Sequence, residues 1–140
     1  MIIVDANVMV MALAGPSDRG EAARAALFAD DEWAAPTHMP LEVVRTLHTA
    51  ASTNQLAGTD ADAAFRALTA MQITYVETDS LLLHTMWKLR RNVSIYDAAY
   101  LAVAALHDAP LVTFDTRLAR GALQAMPEVA VTVLQALDSA

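Results

Sequence analysis

The chain contains no cysteine among its 140 residues, which excludes disulfide bonds and thiolate metal sites. Its histidines show no close ligand spacing, so a bound metal ion would be held mainly by oxygen; they are His38, His48, His84 and His107. No run approaches the roughly 20 apolar residues that a membrane-spanning helix needs, and the N-terminus lacks the basic region of a signal peptide. We therefore expect a soluble, cytoplasmic protein that does not bind membranes.

At 56% hydrophobic residues, the chain is long enough for one domain with its own core and too short for two ordinary domains, so residues 1–140 are expected to form a single domain. The apolar patterns predict strands over residues 1–4, 32–35, 73–76, 111–114 and 129–133. They predict helices over residues 6–14, 19–29, 60–71, 80–91, 95–107 and 116–125, and one more that begins near Pro40. Strands separated by helices need right-handed crossovers, which predicts a three-layer α/β/α domain with a mainly parallel sheet.

Local signals refine this assignment. Ser94 is expected to cap the helix over residues 95–107, and the spacing of Thr59 and Asp62 predicts a capping box at the start of the 60–71 helix. Pro36 is expected to break the second strand. Large apolar residues of the helical segments are expected in the core rather than on a partner surface; they are Val8, Leu13, Leu27, Phe28, Leu47 and Phe65.

Four acidic residues stand where an apolar segment gives way to a helix: Asp5, Glu42, Asp97 and Asp115. Asp5 follows the first predicted strand and Asp115 follows the fourth. In parallel sheets, ligands bind at the edge formed by the carboxyl ends of the strands. The same fold brings the amino ends of the helices that carry Glu42 and Asp97 to that edge. One cavity would then hold all four carboxylates.

Carboxylates gathered in one cavity repel one another unless protons or cations intervene. Hard oxygen ligands favour Mg²⁺ or Mn²⁺, and such an ion can polarise a phosphodiester oxygen and lower the pKa of a bound water. The joint placement therefore predicts metal-dependent phosphodiester hydrolysis. Each acid alone also has an ordinary explanation, because Asp is a favoured N-cap residue and acids favour the first turn of a helix.

Basic residues are few and unevenly placed. Nine Lys and Arg against 16 Asp and Glu give a net charge of −7, which argues against a protein that simply coats nucleic acid but does not exclude a nuclease. Six of the nine lie near the four acids in sequence: Arg45, Lys88, Arg90, Arg91, Arg117 and Arg120. Singly they are explained as solvated helix ends. As a group they are candidates for RNA phosphate contacts.

Four segments resemble the PIN-domain family, especially the VapC-type toxins of bacterial toxin–antitoxin pairs. They are IIVDANV (2–8), PLEVVRTL (40–47), SIYDAAYLAVA (94–104) and APLVTFDTRLA (109–119). Their order and spacing extend the resemblance over almost the whole chain. By position, Asp5, Glu42 and Asp97 match the main acidic ligands of the family, and Asp115 matches its more variable fourth acid.

Three further residues take supporting positions in this resemblance. Asn7 stands where the family often has Ser or Thr, which leaves the water or ligand that it supports undefined. Thr113 matches a recurrent hydroxyl residue near the site, and Ser94 precedes the helix that carries Asp97.

The resemblance implies a Mg²⁺- or Mn²⁺-dependent endoribonuclease that inhibits growth by cutting RNA. It also implies neutralisation by a cognate VapB-like antitoxin, a homodimer, and contact with operator DNA only through the antitoxin.

Two other interpretations remain open. In a phosphatase of the haloacid-dehalogenase type, Asp5 would be the nucleophile, but Asp5-Ala6-Asn7 lacks the usual second Asp and only Lys88 would supply the lysine. A catalytically silent PIN-like binding protein is the second alternative, and the presence of all four acids disfavours it.

Overall fold

A computed structural model describes residues 1–135, which form five strands and seven helices. The strands are β1 (Ile2–Val4), β2 (Trp33–Pro36), β3 (Thr74–Val76), β4 (Leu111–Thr113) and β5 (Val131–Val133). The helices are α1 (Ala6–Ala14), α2 (Ser17–Phe28), α3 (Met39–Ser52), α4 (Gly58–Ala70), α5 (Ser80–Leu89), α6 (Ile95–His107) and α7 (Thr116–Ala125). No helix in this range is long and apolar enough to cross a membrane.

The strands form one sheet in the order β3-β2-β1-β4-β5, and every neighbouring pair is parallel. Ile3 lies at the centre, paired with Ala34 of β2 on one side and Leu111 of β4 on the other. All residues of β1 and β4 are buried, as expected for central parallel strands covered on both faces. The sheet confirms the predicted parallel architecture and places the ends of β1 and β4 side by side.

Two groups of helices cover the sheet and complete the predicted α/β/α arrangement. Helix α6 packs on β1, β2 and β4, with α5 beside it, whereas α1 packs on α2, α3, α4 and β4. The largest fully buried side chains come from the sheet, α1, α3, α6 and α7, and include Ile3, Met9, Met39, Tyr100 and Leu101. Because Tyr100 is fully buried, its hydroxyl needs a partner inside the protein.

The predicted element boundaries agree with the structure for α1, α6 and α7 and shift by a few residues elsewhere. Helix α5 ends at Leu89 rather than at residue 91, and β5 begins at residue 131 rather than 129. Phe114 lies outside β4, so Thr113 is the last residue of that strand. Pro36 does not break β2; it is the final strand residue, paired with Val76.

The two capping predictions had different outcomes. Ser94 caps α6 as predicted, because its Oγ accepts a hydrogen bond from the Asp97 amide at 3.2 Å. The capping box of Thr59 and Asp62 is wrong. Helix α4 begins at Gly58, two residues before the predicted start, so Thr59 lies inside its first turn. The cap position falls on Ala57, which has no side-chain oxygen.

The core predictions hold for three of the six apolar residues without qualification. Val8, Leu27 and Leu47 are buried, and Leu13 is partly buried against the core. The prediction is wrong for Phe28 and Phe65. Phe28 is the last residue of α2 and is 81% exposed, and Phe65 lines an open groove between α3 and α4.

Helix α7 approaches the segment between α5 and α6 very closely. The contact is at Gly121, where an added Cβ would lie 2.6 Å from the Asn92 carbonyl oxygen and 2.6 Å from Val93 Cγ1. Backbone atoms cannot yield as a flexible side chain does, so a larger residue would push α7 away from the start of α6.

We expect Gly121→Ala to lower the free energy of unfolding by about 1–3 kcal/mol through overpacking, as measured by urea denaturation. Gly58→Ala is the matched control, because no atom lies within 4 Å of a Cβ there and Ala favours the helix. Equal effects of the two substitutions would contradict the close contact.

Candidate active site

An acidic cavity of about 230 Å³ opens at the carboxyl edge of the central strands. Strand β1 leads into it through Asp5, and the first turns of α3 and α6 contribute Glu42 and Asp97. Asp115, at the start of α7, completes the acidic part of the lining. The full lining is Asp5, Ala6, Asn7, Val10, Met11, Glu42, Arg45, Thr46, Asp97 and Asp115. The four acids selected from the sequence therefore meet in one cavity.

Asp5 is the most deeply buried of these acids, at 6% exposure. It occupies the N-cap position of α1, but its side chain makes no capping hydrogen bond. Instead, Thr113 Oγ1 donates to Asp5 Oδ2 at 2.6 Å. Burial raises the pKa of Asp5 to about 6; the Thr113 hydrogen bond opposes this rise, and the negative charges of Asp97 and Glu42 add to it.

Glu42 lies between two aromatic side chains that orient it. The Tyr100 hydroxyl donates to Glu42 Oε1 at 2.9 Å. His38 Nε2 lies 3.0 Å from the same oxygen, although the ring nitrogen is not aligned as a hydrogen-bond donor. Burial by itself would raise the pKa of Glu42, but the contacts with His38 and Tyr100 and the positive charge of Arg45 outweigh it and hold the pKa below its usual value.

Asp97 lies in the first turn of α6, three residues after the Ser94 cap. Burial raises the pKa of its carboxyl group, and hydrogen bonding with Ser94 opposes the rise. The neighbouring negative charges of Asp115 and Glu42 raise it further. Capping and exposure to the cavity are compatible, because the Ser94 cap uses the Asp97 backbone amide.

Asp115 is an N-cap residue and a cavity residue at once. Its Oδ1 accepts hydrogen bonds from the amides of Arg117 at 2.9 Å and Leu118 at 3.1 Å. Both bonds use the same oxygen, so Oδ2 is not needed for the cap. The Asp115 amide in turn donates to Thr113 Oγ1 at 3.0 Å.

The supporting residues link the elements around the cavity. Thr113, fully buried, accepts from Asp115 and donates to Asp5, and so joins the ends of β4 and β1. Asn7 Oδ1 accepts from the Phe114 amide at 3.4 Å, a long contact between α1 and the turn after β4.

A basic groove of about 470 Å³ adjoins the acidic cavity and shares Asp97 and Asp115 with it. Its cations are Arg90, Arg91 and Arg117, and its remaining lining is Asn92, Val93, Ser94 and Leu118. Arg90 is held in place because its guanidinium lies 4.4 Å from the Trp87 ring centroid and donates to the Trp87 carbonyl at 2.7 Å.

The other predicted RNA-contact residues are separate from this groove. Arg45 lines the acidic cavity next to Glu42, whereas Lys88 and Arg120 are exposed and line neither cavity. Across residues 1–135, the ion pairs of carboxylates involve the N-terminal amine and His38, and none involves Lys or Arg. The three arginines of the basic groove therefore have no carboxylate partner in the described part of the chain.

The carboxylates of the acidic cavity suit a hard divalent cation that is bound by few protein ligands. Within residues 1–135, no three Asp, Glu or His side chains are arranged as a ready metal-binding group. Mg²⁺ usually binds through one or two carboxylates and keeps several waters, so pairs of acids around this cavity are sufficient for it. Burial and, to a smaller extent, the neighbouring negative charges raise the pKa of Asp5 and of Asp97, and a bound cation would favour their ionised forms.

Sequence reasoning missed His38 and Tyr100, the two residues that contact Glu42. The sequence contained a signal for each of these two residues. His38 lies four residues before Glu42, one helical turn away, and Tyr100 places a hydroxyl group in an otherwise apolar helix.

Comparison with known proteins identifies the family. A family model described as PIN domain matches residues 2–123. The chain belongs to the PIN-domain family. Ribonuclease VapC1 of Mycobacterium tuberculosis is 35% identical over 117 residues, which cover 84% of this chain and 87% of that protein. Ribonuclease VapC3 of the same organism is 36% identical over 119 residues, 85% of each chain.

A solved structure supports the PIN fold. VapBC2 from Rickettsia felis, bound to a DNA fragment from its promoter, aligns with a TM-score of 0.65 at 14% identity. The alignment covers 96% of this chain and 100% of that one. The PIN resemblance drawn from the four sequence segments is confirmed.

Burial of Asp5 makes the stability of this PIN domain depend on pH. A pKa raised from 3.8 to about 6 corresponds to about 3 kcal/mol. Well below pH 3.8 the carboxyl is protonated in both the folded and the unfolded state, so its burial costs little. Between pH 3.8 and about 6 the unfolded state loses this proton while the folded state keeps it, so the free energy of unfolding falls across this range and levels off above it.

We therefore expect Asp5→Asn to be more stable than the wild type by up to about 3 kcal/mol at about pH 8 in EDTA, and nearly equal to it at about pH 3. Urea denaturation at both pH values measures the difference. The low-pH comparison is the internal control, since an offset of the same size at both pH values would mean that charge burial is not its cause.

Proposed function

We propose that this PIN-domain protein is a Mg²⁺- or Mn²⁺-dependent endoribonuclease that hydrolyses RNA phosphodiester bonds. The observation that carries the proposal is the convergence of four carboxylates on one cavity beside an arginine-lined groove. The acids provide ligands for a divalent cation, and the arginines provide positive charge for phosphates. The names of the relatives, Ribonuclease VapC1 and VapC3, agree with RNA as the substrate.

Asp5, Glu42 and Asp97 would supply the principal metal ligands, two carboxylates at a time together with water, with Asp115 assisting. When bound, the cation would polarise a phosphodiester oxygen and lower the pKa of a water molecule, so that hydroxide forms near neutral pH. Positive charge at this point would also keep the Asp5 carboxyl ionised at a pH where burial otherwise favours its protonation.

Neutral hydroxyl groups hold the two most constrained acids. Thr113 binds Asp5 Oδ2, and Tyr100 binds Glu42 Oε1. Hydroxyl donors orient a carboxylate without cancelling its charge, whereas a lysine or arginine would compete with the cation. These hydroxyl groups would therefore arrange the ligands in advance and leave their negative charge for the metal.

The basic groove would bind the phosphates of the substrate. An overall charge of −7 repels RNA, and the acidic cavity adds to that repulsion locally. Arg90, Arg91 and Arg117 would bind phosphates on the Asp97 and Asp115 side of the cavity. Arg45 would contact a phosphate on the Glu42 side, and the exposed Lys88 and Arg120 would add only long-range attraction.

RNA cleavage by the purified protein tests the proposal. Cleavage is expected with Mg²⁺ or Mn²⁺ and not with EDTA, because the scissile phosphate needs the cation. Asp97→Asn and Glu42→Gln are each expected to lower the cleavage rate by about 100-fold or more, since each removes a charged ligand.

Asp60→Asn and Glu77→Gln are matched controls, because they make the same chemical changes at exposed positions outside the acidic cavity and the basic groove. Both are expected to cleave RNA at the wild-type rate. Activity that persists in EDTA and in both cavity variants would reject the metal-dependent mechanism. Hydrolysis of small phosphate esters in place of RNA would favour a phosphatase.

We further propose that the protein is a growth-inhibiting cytoplasmic toxin neutralised by a VapB-like antitoxin. The fold similarity to VapBC2, solved with promoter DNA, supports such a partner, and contact of this chain with operator DNA would be indirect, through the antitoxin. A homodimer is part of the same proposal.

Expression of the wild-type chain in bacteria is expected to arrest growth, and co-expression of the cognate antitoxin is expected to restore it. Asp97→Asn should permit growth at equal protein level, because the inhibition depends on RNA cleavage. Colony counts and immunoblots measure both quantities. Equal toxicity of the wild type and Asp97→Asn would separate growth inhibition from nuclease activity.

The two alternative functions, a phosphatase and a catalytically silent binding protein, are less well supported. A haloacid-dehalogenase-type phosphatase needs a lysine at its active site, and Lys88 does not line the acidic cavity. A silent binding protein would not need four converging acids, two of which, Asp5 and Glu42, are oriented by Thr113 and Tyr100.

A further inference from the structure

A second groove adjoins the acidic cavity at Glu42, whereas the basic groove adjoins it at Asp97 and Asp115. We call it the tyrosine groove; it has a volume of about 230 Å³ and is lined by His38, Leu41, Glu42, Arg45 and Tyr96. It shares Glu42 and Arg45 with the acidic cavity, so the two are continuous. The basic groove, the acidic cavity and the tyrosine groove thus form one path across the carboxyl edge of the sheet.

Tyr96 presents an exposed aromatic ring beside the acids. The residue directly precedes Asp97, and its side chain is 64% exposed, whereas Tyr100 on the same helix is fully buried. The His38 ring lies between them, with its centroid 5.0 Å from that of Tyr96 and 5.2 Å from that of Tyr100. This aromatic series anchors Tyr96 to the core and leaves its outer surface accessible.

The two ends of the path differ in chemistry. The basic groove contains three arginines and no aromatic residue, which suits phosphates. The tyrosine groove contains one arginine, Arg45, together with the exposed Leu41 side chain and Tyr96, which suits a flat apolar ring attached to a single phosphate. Base stacking on aromatic side chains is a principal means of binding unpaired nucleotides.

We propose that the tyrosine groove binds an unpaired nucleobase of the RNA substrate, stacked on Tyr96, next to the phosphate in the acidic cavity. The substrate would then be a single-stranded segment or loop, because paired bases in a duplex have their faces covered. This inference rests on the proposed ribonuclease function and adds that one base beside the cleavage site contributes to binding.

The test compares two oligonucleotides with equal numbers of phosphates: oligoadenylate and an abasic ribose-phosphate chain of the same length. Binding is measured by fluorescence anisotropy in Mg²⁺, with every protein carrying Asp5→Asn to suppress cleavage of the probe. Adding Tyr96→Ala is expected to weaken oligoadenylate binding by about ten-fold. Binding of the abasic chain should change less than about two-fold, and Tyr96→Phe should bind both chains normally.

Two further variants separate stacking from other effects. Tyr75→Ala removes a partly exposed tyrosine from the edge strand β3, far along the sheet order from β4, and should leave both affinities unchanged. Arg117→Ala should weaken the binding of both oligonucleotides by the same factor, because Arg117 would bind phosphates, which both chains contain in equal number.

Several results would overturn the inference. These are an equal effect of Tyr96→Ala on both oligonucleotides, no effect on either, or no measurable binding of oligoadenylate by the Asp5→Asn protein. A change of molecular mass with Tyr96→Ala in light scattering, with RNA binding unaltered, would assign the groove to a protein interface instead. Failure of the wild type to cleave RNA would reject the proposed function but leave this binding test valid.

Discussion

The hydrogen bond from Thr113 to Asp5 is the contact on which the acidic cavity depends. It joins the last residue of β4 to the residue that follows β1, and the same Thr113 oxygen accepts the Asp115 amide. The positions of Asp5 and Asp115, two of the four acids, are therefore set by one buried hydroxyl group and one parallel strand pair. Glu42 is brought to the same point by Tyr100, from the helix that also carries Asp97.

Charge separation is the second organising principle. The acids lie in the cavity with hydroxyl and imidazole neighbours, and three arginines lie along the adjoining groove. Arg45 lines the cavity beside Glu42, but no arginine forms an ion pair with a carboxylate in the described residues. Direct Arg–carboxylate pairs would neutralise both sets. Keeping them apart leaves negative charge for a cation and positive charge for phosphates. Burial of Asp5 opposes folding, and it is the kind of local instability that functional sites retain.

Several elements were predictable because independent signals agreed. For α6, the Ser94 cap, the alanine-rich run and the following Asp108-Ala109-Pro110 all indicated the same boundaries. Where one weak signal was used alone, it failed. Thr59 and Asp62 have capping-box spacing, but the helix starts one residue before Thr59. Phe28 is apolar, but it stands at the end of α2, where its side chain passes beyond the packed face.

The sequence by itself determined the parallel α/β architecture and the four acids, because strand and helix periodicity, together with charges at the junctions, are local properties of the chain. Only the tertiary structure decided which groups touch the acids. Tyr100 reaches Glu42 across 58 positions of sequence, and Thr113 reaches Asp5 across 108. The division of the basic residues was also tertiary, since Arg117 lines the groove and Arg120, on the same helix, does not. Such distinctions depend on which face of a helix packs against another element, and they arise only when distant segments meet.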